Sequence, residues 1–189
     1  EWDIVQYTVS YTLNGGTNAG SNPTSYNYHD TFTLADPERT GYTFLGWTYE
    51  GQTEPTKDVT VVVGTTGELA YTANWQANTY KVTFDANGGT VSPTSKDVVF
   101  DTNVTLPTPT RTGYTFGGWF VGTKQYTTGT WKTDSDVTLV AKWTANSYTV
   151  TFHKNDGTDA TTTQSFTSGN NVFTFSLALI YLPLLSITI

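Results

Sequence analysis

The chain has 189 residues and neither cysteine nor methionine, which excludes disulfide staples, a thiol nucleophile and a thiolate-bound metal. Aromatic residues reach 15 % and charged residues only 13 %, with Thr, Tyr, Phe, Trp and Val prominent and helix formers scarce, the composition of a β-rich extracellular protein. The net charge of −7 is uneven, −5 over residues 7–75 and +1 over 80–143, and nowhere gathers into the basic patch that nucleic acid or sulfated glycans require.

The first segment, Tyr7-Thr8-Val9-Ser10-Tyr11, alternates large apolar with small polar residues, which predicts a strand with one buried face. Asn14-Gly15 then supplies two residues that accept positive φ, so a tight turn follows. A short helical turn is expected near Leu34–Glu38, with Asp36 as cap before Pro37. Tyr80-Lys81-Val82-Thr83-Phe84 and the turn at Asn87-Gly88 repeat the opening pattern. A second strand is predicted near Lys96–Phe100. Thr105-Leu106-Pro107-Thr108-Pro109 is extended but cannot be a central strand, because each proline lacks a donor. Alternation resumes over Gly113–Phe120, where glycines permit a bend, and again over Asp136–Trp143. About four strands per repeat are expected, joined by long polar connections.

These landmarks recur in order. Arg39-Thr40-Gly41-Tyr42-Thr43-Phe44-Leu45-Gly46-Trp47 returns as Arg111-Thr112-Gly113-Tyr114-Thr115-Phe116-Gly117-Gly118-Trp119, and the closing Ala73-Asn74-Trp75 returns as Ala141-Lys142-Trp143. The chain is therefore an array, and function is to be sought in the array rather than in one active site. Residues 7–75 form a first repeat with an insertion near Asn18–Ser25 and a longer acidic loop at Tyr49–Asp58. Residues 80–143 form a second, and 148–189 an incomplete third whose phase is lost from residue 173. Residues 1–6 read as the end of a preceding repeat, since Trp2 precedes Tyr7 by the spacing of Trp75 and Tyr80. Gln76-Ala77-Asn78-Thr79 reads as a four-residue linker. The pattern Y-x-V-x-F-x-x-N-G-G, T-L-P, R-x-G-Y-T-F-x-G-W and V-T-L-x-A-x-W resembles the Listeria–Bacteroides repeat, the B-repeat of internalins. The resemblance covers 7–75 and 80–143 fully and 148–172 in part. It implies a β-grasp-like α+β unit with little helix, set in tandem in an extended array. It also implies a secreted or wall-attached bacterial surface protein in which the repeats act as stalk, spacer or adhesive module. The family offers no catalytic residue to carry over; a glycan- or host-ligand-binding module and an accessory domain of a larger secreted enzyme are the alternative readings. The expected partners are neighbouring repeats, with a host protein or glycan as further candidates; no nucleic acid, cofactor or membrane span is expected.

Most of the conspicuous side chains have plain structural roles. Trp47, Trp75, Trp119 and Trp143 recur at fixed positions on alternating strands, which marks them as packing residues. Trp131 has no counterpart in the first repeat, so it and Tyr126 are the candidate exposed aromatics for a ligand. Glu50, Glu54 and Asp58 offer carboxylates, but in a Gly/Pro-bearing loop of one repeat only, not in the rigid cleft that a glycosidase needs. Asn155-Asp156-Gly157-Thr158-Asp159 lacks the spacing and closing Glu of a calcium loop and reads as a turn. His29 and Asp30, near Ser25, would point to opposite faces of a strand and so do not read as a triad. Asn103-Val104-Thr105 fits a glycosylation sequon by its three residues alone. The third repeat keeps its first strand and turn, Tyr148–Gly157, but lacks the later strands, and is not expected to form a complete domain. The apolar tail 173–189 contains Pro183 and no basic flank. It is too short for a span and is read as a foreign terminus or a chance strand.

Overall fold

A computed structural model describes residues 4–153, 158, 160–169 and 186–188. Every regular element among them is a β-strand. Contacts divide the chain into two compact units. The first comprises 1–81, 97–104 and 129–136; the second comprises 82–96, 105–128 and 137–189. Two pieces of the second sequence repeat thus fold with the first.

In the first unit, β1 (Gln6–Thr12), β2 (Ser25–Asn27), β4 (Tyr42–Thr48) and β6 (Leu69–Ala77) form a sheet in the order β2-β1-β6-β4. β1 and β6 are parallel, with Val9 beside Leu69 and Tyr11 beside Tyr71; β2 and β4 run antiparallel to their neighbours. A small antiparallel pair, β3 (Phe32–Thr33) with β5 (Thr60–Val61), stands apart from it. Period-two alternation puts Val9, Leu69, Tyr71 and Ala73 on one face, where they are buried with Tyr26, Leu34, Phe44 and Trp47.

The spacing of three between Phe44 and Trp47 is odd and would send the two rings to opposite faces of a regular strand. A β-bulge at Leu45–Gly46 removes the conflict. Gly46 holds φ at +139°, and a Cβ there would lie 2.7 Å from the Thr56 carbonyl carbon. Phe44 and Trp47 then meet edge to face, 5.3 Å between centroids. The second unit repeats the device: Gly118 has φ +122°, the register shifts between Phe116 and Gly118, and Phe116 meets Trp119 at 5.5 Å.

The expected helical turn near Leu34–Glu38 is not found, and no helix of a β-grasp kind occurs among the described residues. The insertion explains part of this. Asn22, only 7 % exposed, accepts from the Ala35 amide at 2.7 Å and donates to the Ala35 carbonyl at 2.9 Å. Both backbone groups that a helix would use are thereby taken.

The remaining strands are β7 (Thr79–Asp85), β8 (Ser95–Val99), β9 (Asn103–Val104), β10 (Tyr114–Val121), β11 (Lys124–Tyr126), β12 (Gly129–Thr130) and β13 (Val137–Ala145), in a sheet ordered β11-β10-β13-β7-β8 and a β9-β12 pair. Again the opening and closing strands, β7 and β13, are parallel, with Val82 beside Val137. Val82, Leu139 and Ala141 are fully buried. Each repeat therefore holds more than the four strands expected, because two-residue pairs fold inside its long connections.

Beyond residue 145, β14 (Ser147–His153), β15 (Thr161–Thr167) and β16 (Ser186–Thr188) form an antiparallel sheet in the order β15-β14-β16. Part of the tail thus pairs with β14, Phe152 opposite Ile187. Trp2, the Asn155–Gly157 turn, Asp159 and the tail from 170 to 185 lie outside the described residues.

Candidate functional site

The most elaborate constellation is polar and sits around Asn78, inside the first compact unit. Residues 76–79 are not a linker: β6 runs through Ala77 and β7 starts at Thr79, leaving Asn78 alone outside a strand. Its amide donates to the Gly41 carbonyl at 2.9 Å, and its own carbonyl accepts from the Phe100 amide at 2.8 Å. Its side chain accepts from the Thr43 hydroxyl at 2.6 Å and donates to the Tyr80 hydroxyl at 3.3 Å. A residue with both backbone groups and its side chain bonded is fixed in place. Gly41, at φ +77°, is obligatory here because a methyl group on it would overlap the Phe100 ring.

Beside this node the Arg39 guanidinium lies 3.6 Å over the Tyr42 ring. The Tyr42 hydroxyl donates to an Asp101 carboxylate oxygen at 3.0 Å, and Lys132 ion-pairs with the other oxygen. The Lys132 hydrogen bond, and after it the Tyr42 hydroxyl, hold the Asp101 carboxyl below its ordinary range. Asp101 itself has φ +66°, a turn conformation that Asp tolerates.

The second unit carries the same node. The Asn146 amide donates to Gly113 and its carbonyl accepts from Ser168, both at 2.9 Å. The Thr115 hydroxyl donates to Asn146 Oδ1 at 2.7 Å, and Arg111 stacks 3.9 Å over Tyr114. Gly169 stands where Asp101 stands in the first unit.

A groove adjoins each stacked Arg–Tyr pair. In the first unit it encloses about 370 Å³ and is lined by Arg39, Tyr42, Phe100, Asp101 and Lys132 among others. In the second it encloses about 650 Å³, lined by Gly88, Gly89, Arg111, Tyr114, Phe116 and Trp143 among others.

The aromatics picked from sequence do not form a site. Trp131 is 4 % exposed, so its reading as an exposed platform is corrected. Its amide bonds Thr102 and its carbonyl bonds the Asp101 amide, which draws the indole inward behind the Asp101 turn. Tyr126 lies in the other compact unit, half-buried, opposite Trp119 on the neighbouring strand, with Lys124 4.7 Å from its ring centre. Trp47 and Trp119 are core, 0 % and 2 % exposed. Trp75 and Trp143 are half-buried, their indole N–H groups donating to the Leu13 and Ala86 carbonyls at 2.9 Å.

Glu50, Glu54 and Asp58 are all exposed. Asp30 accepts from the Asn27 amide at 2.8 Å and so serves the turn that holds His29. Asn103 is exposed on β9. No group of three or more His, Asp or Glu that could hold a metal occurs among the described residues. Among those residues no helix is long and apolar enough to cross a membrane. Sequence reasoning missed the Asn78 node. Its signal was present: Asn, Gly-Tyr and Arg recur together at both Asn78 and Asn146.

Comparison with known proteins agrees with this architecture. The family model of the Listeria-Bacteroides repeat domain matches residues 7–69 and 80–142. A putative Gly-rich membrane protein of Evansella cellulosilytica is 34 % identical over 163 residues, 83 % of this chain and 18 % of that protein. A putative membrane protein of the same organism is 30 % identical, over 83 % of this chain and 24 % of its own length. Internalin H of Listeria monocytogenes is 34 % identical over 117 residues, 58 % of this chain and 20 % of that protein. The chain thus spans a quarter or less of each of these three relatives. No solved structure matches it. With two matched segments that together cover well over half of its residues, the chain belongs to the Listeria-Bacteroides repeat family.

Proposed function

We propose that this chain is a non-enzymatic repeat segment of a secreted or wall-attached bacterial surface protein, and that it acts as a stalk or spacer. The observation that carries the reading is the Asn78 node and its copy at Asn146. A spacer must transmit position, and a flexible four-residue linker would not do so. A single residue with every polar group engaged fixes the chain locally at Asn78, inside the first compact unit, where a free linker would otherwise stand. The partners in this reading are neighbouring repeats of the same chain, and the location is extracellular. Display of a ligand-binding surface along such a spacer would make it an adhesion module.

The test is a distance distribution between spin labels placed on exposed Thr66 and Thr123 of the full chain. One narrow distribution is expected, broadened several-fold in Asn78→Gly. A broad distribution in the unaltered chain, with the fold intact by circular dichroism, would remove the spacer reading.

A further inference from the structure

Inside the first compact unit, one small surface of the second repeat is covered by residues of the first. The Phe100 ring lies against Gly41, where a methyl group would overlap it, and meets Tyr42 edge to face with 5.6 Å between centroids. Phe100 is 7 % exposed, and Trp131, behind the same turn, 4 %. The positions that correspond to them in the first repeat follow from two anchors. Arg39 matches Arg111, an offset of 111 − 39 = 72, and Trp75 matches Trp143, an offset of 143 − 75 = 68. Phe100 thus corresponds to Tyr28, and Trp131 to Val63. The strand registers agree, since Val104 faces Gly129 and, at the same two offsets, Phe32 faces Val61. The turn agrees as well: the Thr102 amide donates to the Val99 carbonyl, and the Asp30 amide to the Asn27 carbonyl.

The backbone is therefore the same, but the exposure is not. Tyr28 is 51 % exposed and Val63 57 %, next to Val62 at 58 %. Val5 precedes Tyr7 as Asn78 precedes Tyr80, and it and Ile4 are each 63 % exposed. These residues form one surface. The β1–β2 register, Gln6 opposite Asn27, carries Val5 up to Tyr28, and the Gly64 amide donates to the Tyr28 carbonyl at 2.8 Å. Five of the nine exposed large hydrophobics among the described residues gather here, whereas apolar residues exposed without purpose are scattered singly.

We infer that this surface, with Tyr28 and Val63 at its centre, is the docking face for the Arg-x-Gly-Tyr turn of a further repeat of the same family, joined ahead of it in the chain and seated as Gly41 and Tyr42 are seated on Phe100. Val5 keeps a backbone amide and carbonyl of the kind that Asn78 gives to Gly41 and Phe100, but it lacks the side-chain acceptor that Asn78 offers Thr43. Gly64 stands in the place of Lys132 and cannot repeat the ion pair with Asp101. This seat is accordingly held by apolar burial, where the seat on Phe100 adds polar side chains. Such docking presupposes the array of neighbouring repeats proposed above but is read at Tyr28, so an unprotected Tyr28 and a broad Thr66–Thr123 distance distribution are separate failures.

The test is the rate of tyrosine nitration by tetranitromethane, read by peptide mass spectrometry. It compares the full chain with the full chain extended by a copy of residues 7–75 joined directly ahead of Asp3. The copy carries Tyr28→Phe, so that only the original Tyr28 phenol is read. Nitration of Tyr28 should slow about sevenfold in the extended chain, as exposure falls from its own 51 % towards the 7 % of Phe100, while exposed Tyr148 keeps its rate. Val63→Asp in the original repeat should leave the unextended chain folded and restore fast nitration in the extended one. Unchanged nitration of Tyr28 beside a folded copy, or slowing that survives Val63→Asp, would overturn the docking face. A copy that stays unfolded would overturn it equally, because the face is meant to give that copy what Phe100 gives Gly41 and Tyr42. Slowing that grows with concentration in the unextended chain would assign the face to a second molecule instead.

Discussion

Trp47 and Trp119 occupy the same place in the two repeats, yet they differ by one hydrogen bond, and that difference can be measured. Both indoles are buried. The Trp119 N–H donates to the Pro107 carbonyl at 2.8 Å. The residue that corresponds to Pro107 in the first repeat is Ala35, whose carbonyl is taken by Asn22 from the insertion. The Trp47 N–H has no hydrogen-bond partner among the described residues. Replacing either Trp by Phe removes the same ring area, so the packing loss largely cancels between the two variants. What remains is the polar term. Trp119→Phe gives up a bond with a net value of about 1 kcal/mol, while Trp47→Phe removes a buried unsatisfied donor that costs about 1–3 kcal/mol. Trp119→Phe should therefore be the more destabilising by about 2 kcal/mol. Native-state hydrogen exchange read by mass spectrometry separates the two units through peptides of β6 and of β13 as denaturant is raised. Equal losses in the two variants, or a larger loss for Trp47→Phe, would show that the insertion has not displaced the indole's bond.

Gly46→Ala should destabilise the first unit by more than about 1 kcal/mol, since the new methyl meets Thr56 backbone at positive φ. Gly118→Ala, which meets the flexible Gln125 side chain, should cost less, and thermal melts of the two variants give the order. The Tyr11 and Tyr71 phenols are pushed up to about 12 by burial. Because the folded values are raised, their contribution is complete below the unfolded value of about 10 and is lost as pH rises from there towards 12. Absorbance at 295 nm should show these two ionising late or together with unfolding, and an early reversible step for both would contradict the burial. Asp101 runs the other way: its carboxyl is depressed, so its bonds to Lys132 and Tyr42 hold above the ordinary carboxylate range and are lost as pH falls through the folded value. The protection factors of the Asp101 and Trp131 amides, taken against the intrinsic exchange rate at each pH, should fall on acidification in the unaltered chain and not in Asp101→Asn.

The strands were legible because alternation is a local signal: Tyr7-Thr8-Val9-Ser10-Tyr11 gives up its buried face without reference to any other segment. The turns at Asn14-Gly15 and Asn87-Gly88 were legible for the same reason, and both pairs hold positive φ. The parallel pairing of β1 with β6 was not legible, because strand direction depends on the path of some sixty intervening residues rather than on the pattern of either strand. The absent helical turn was a failure of local reasoning against a distant side chain, Asn22. Trp131 was misplaced because its lack of a counterpart in the first repeat was equated with exposure. In the fold it backs a turn, Asp101–Thr102, that the sequence does not advertise.

The compact units do not coincide with the sequence repeats: 97–104 and 129–136 fold with the segment that precedes them. The unit that is copied in the gene is therefore out of step with the unit that is cooperative in the protein. Excision of residues 7–77 alone would strip Tyr42 and Gly41 of the Phe100 and Asp101 partners that complete them. Unfolding of one repeat should accordingly lower the stability of the one before it in sequence, in the manner of nearest-neighbour coupling. Pulling on such a chain should then produce force peaks whose contour steps exceed the length of one repeat, and duplications should be tolerated only when a whole period is gained or lost in phase.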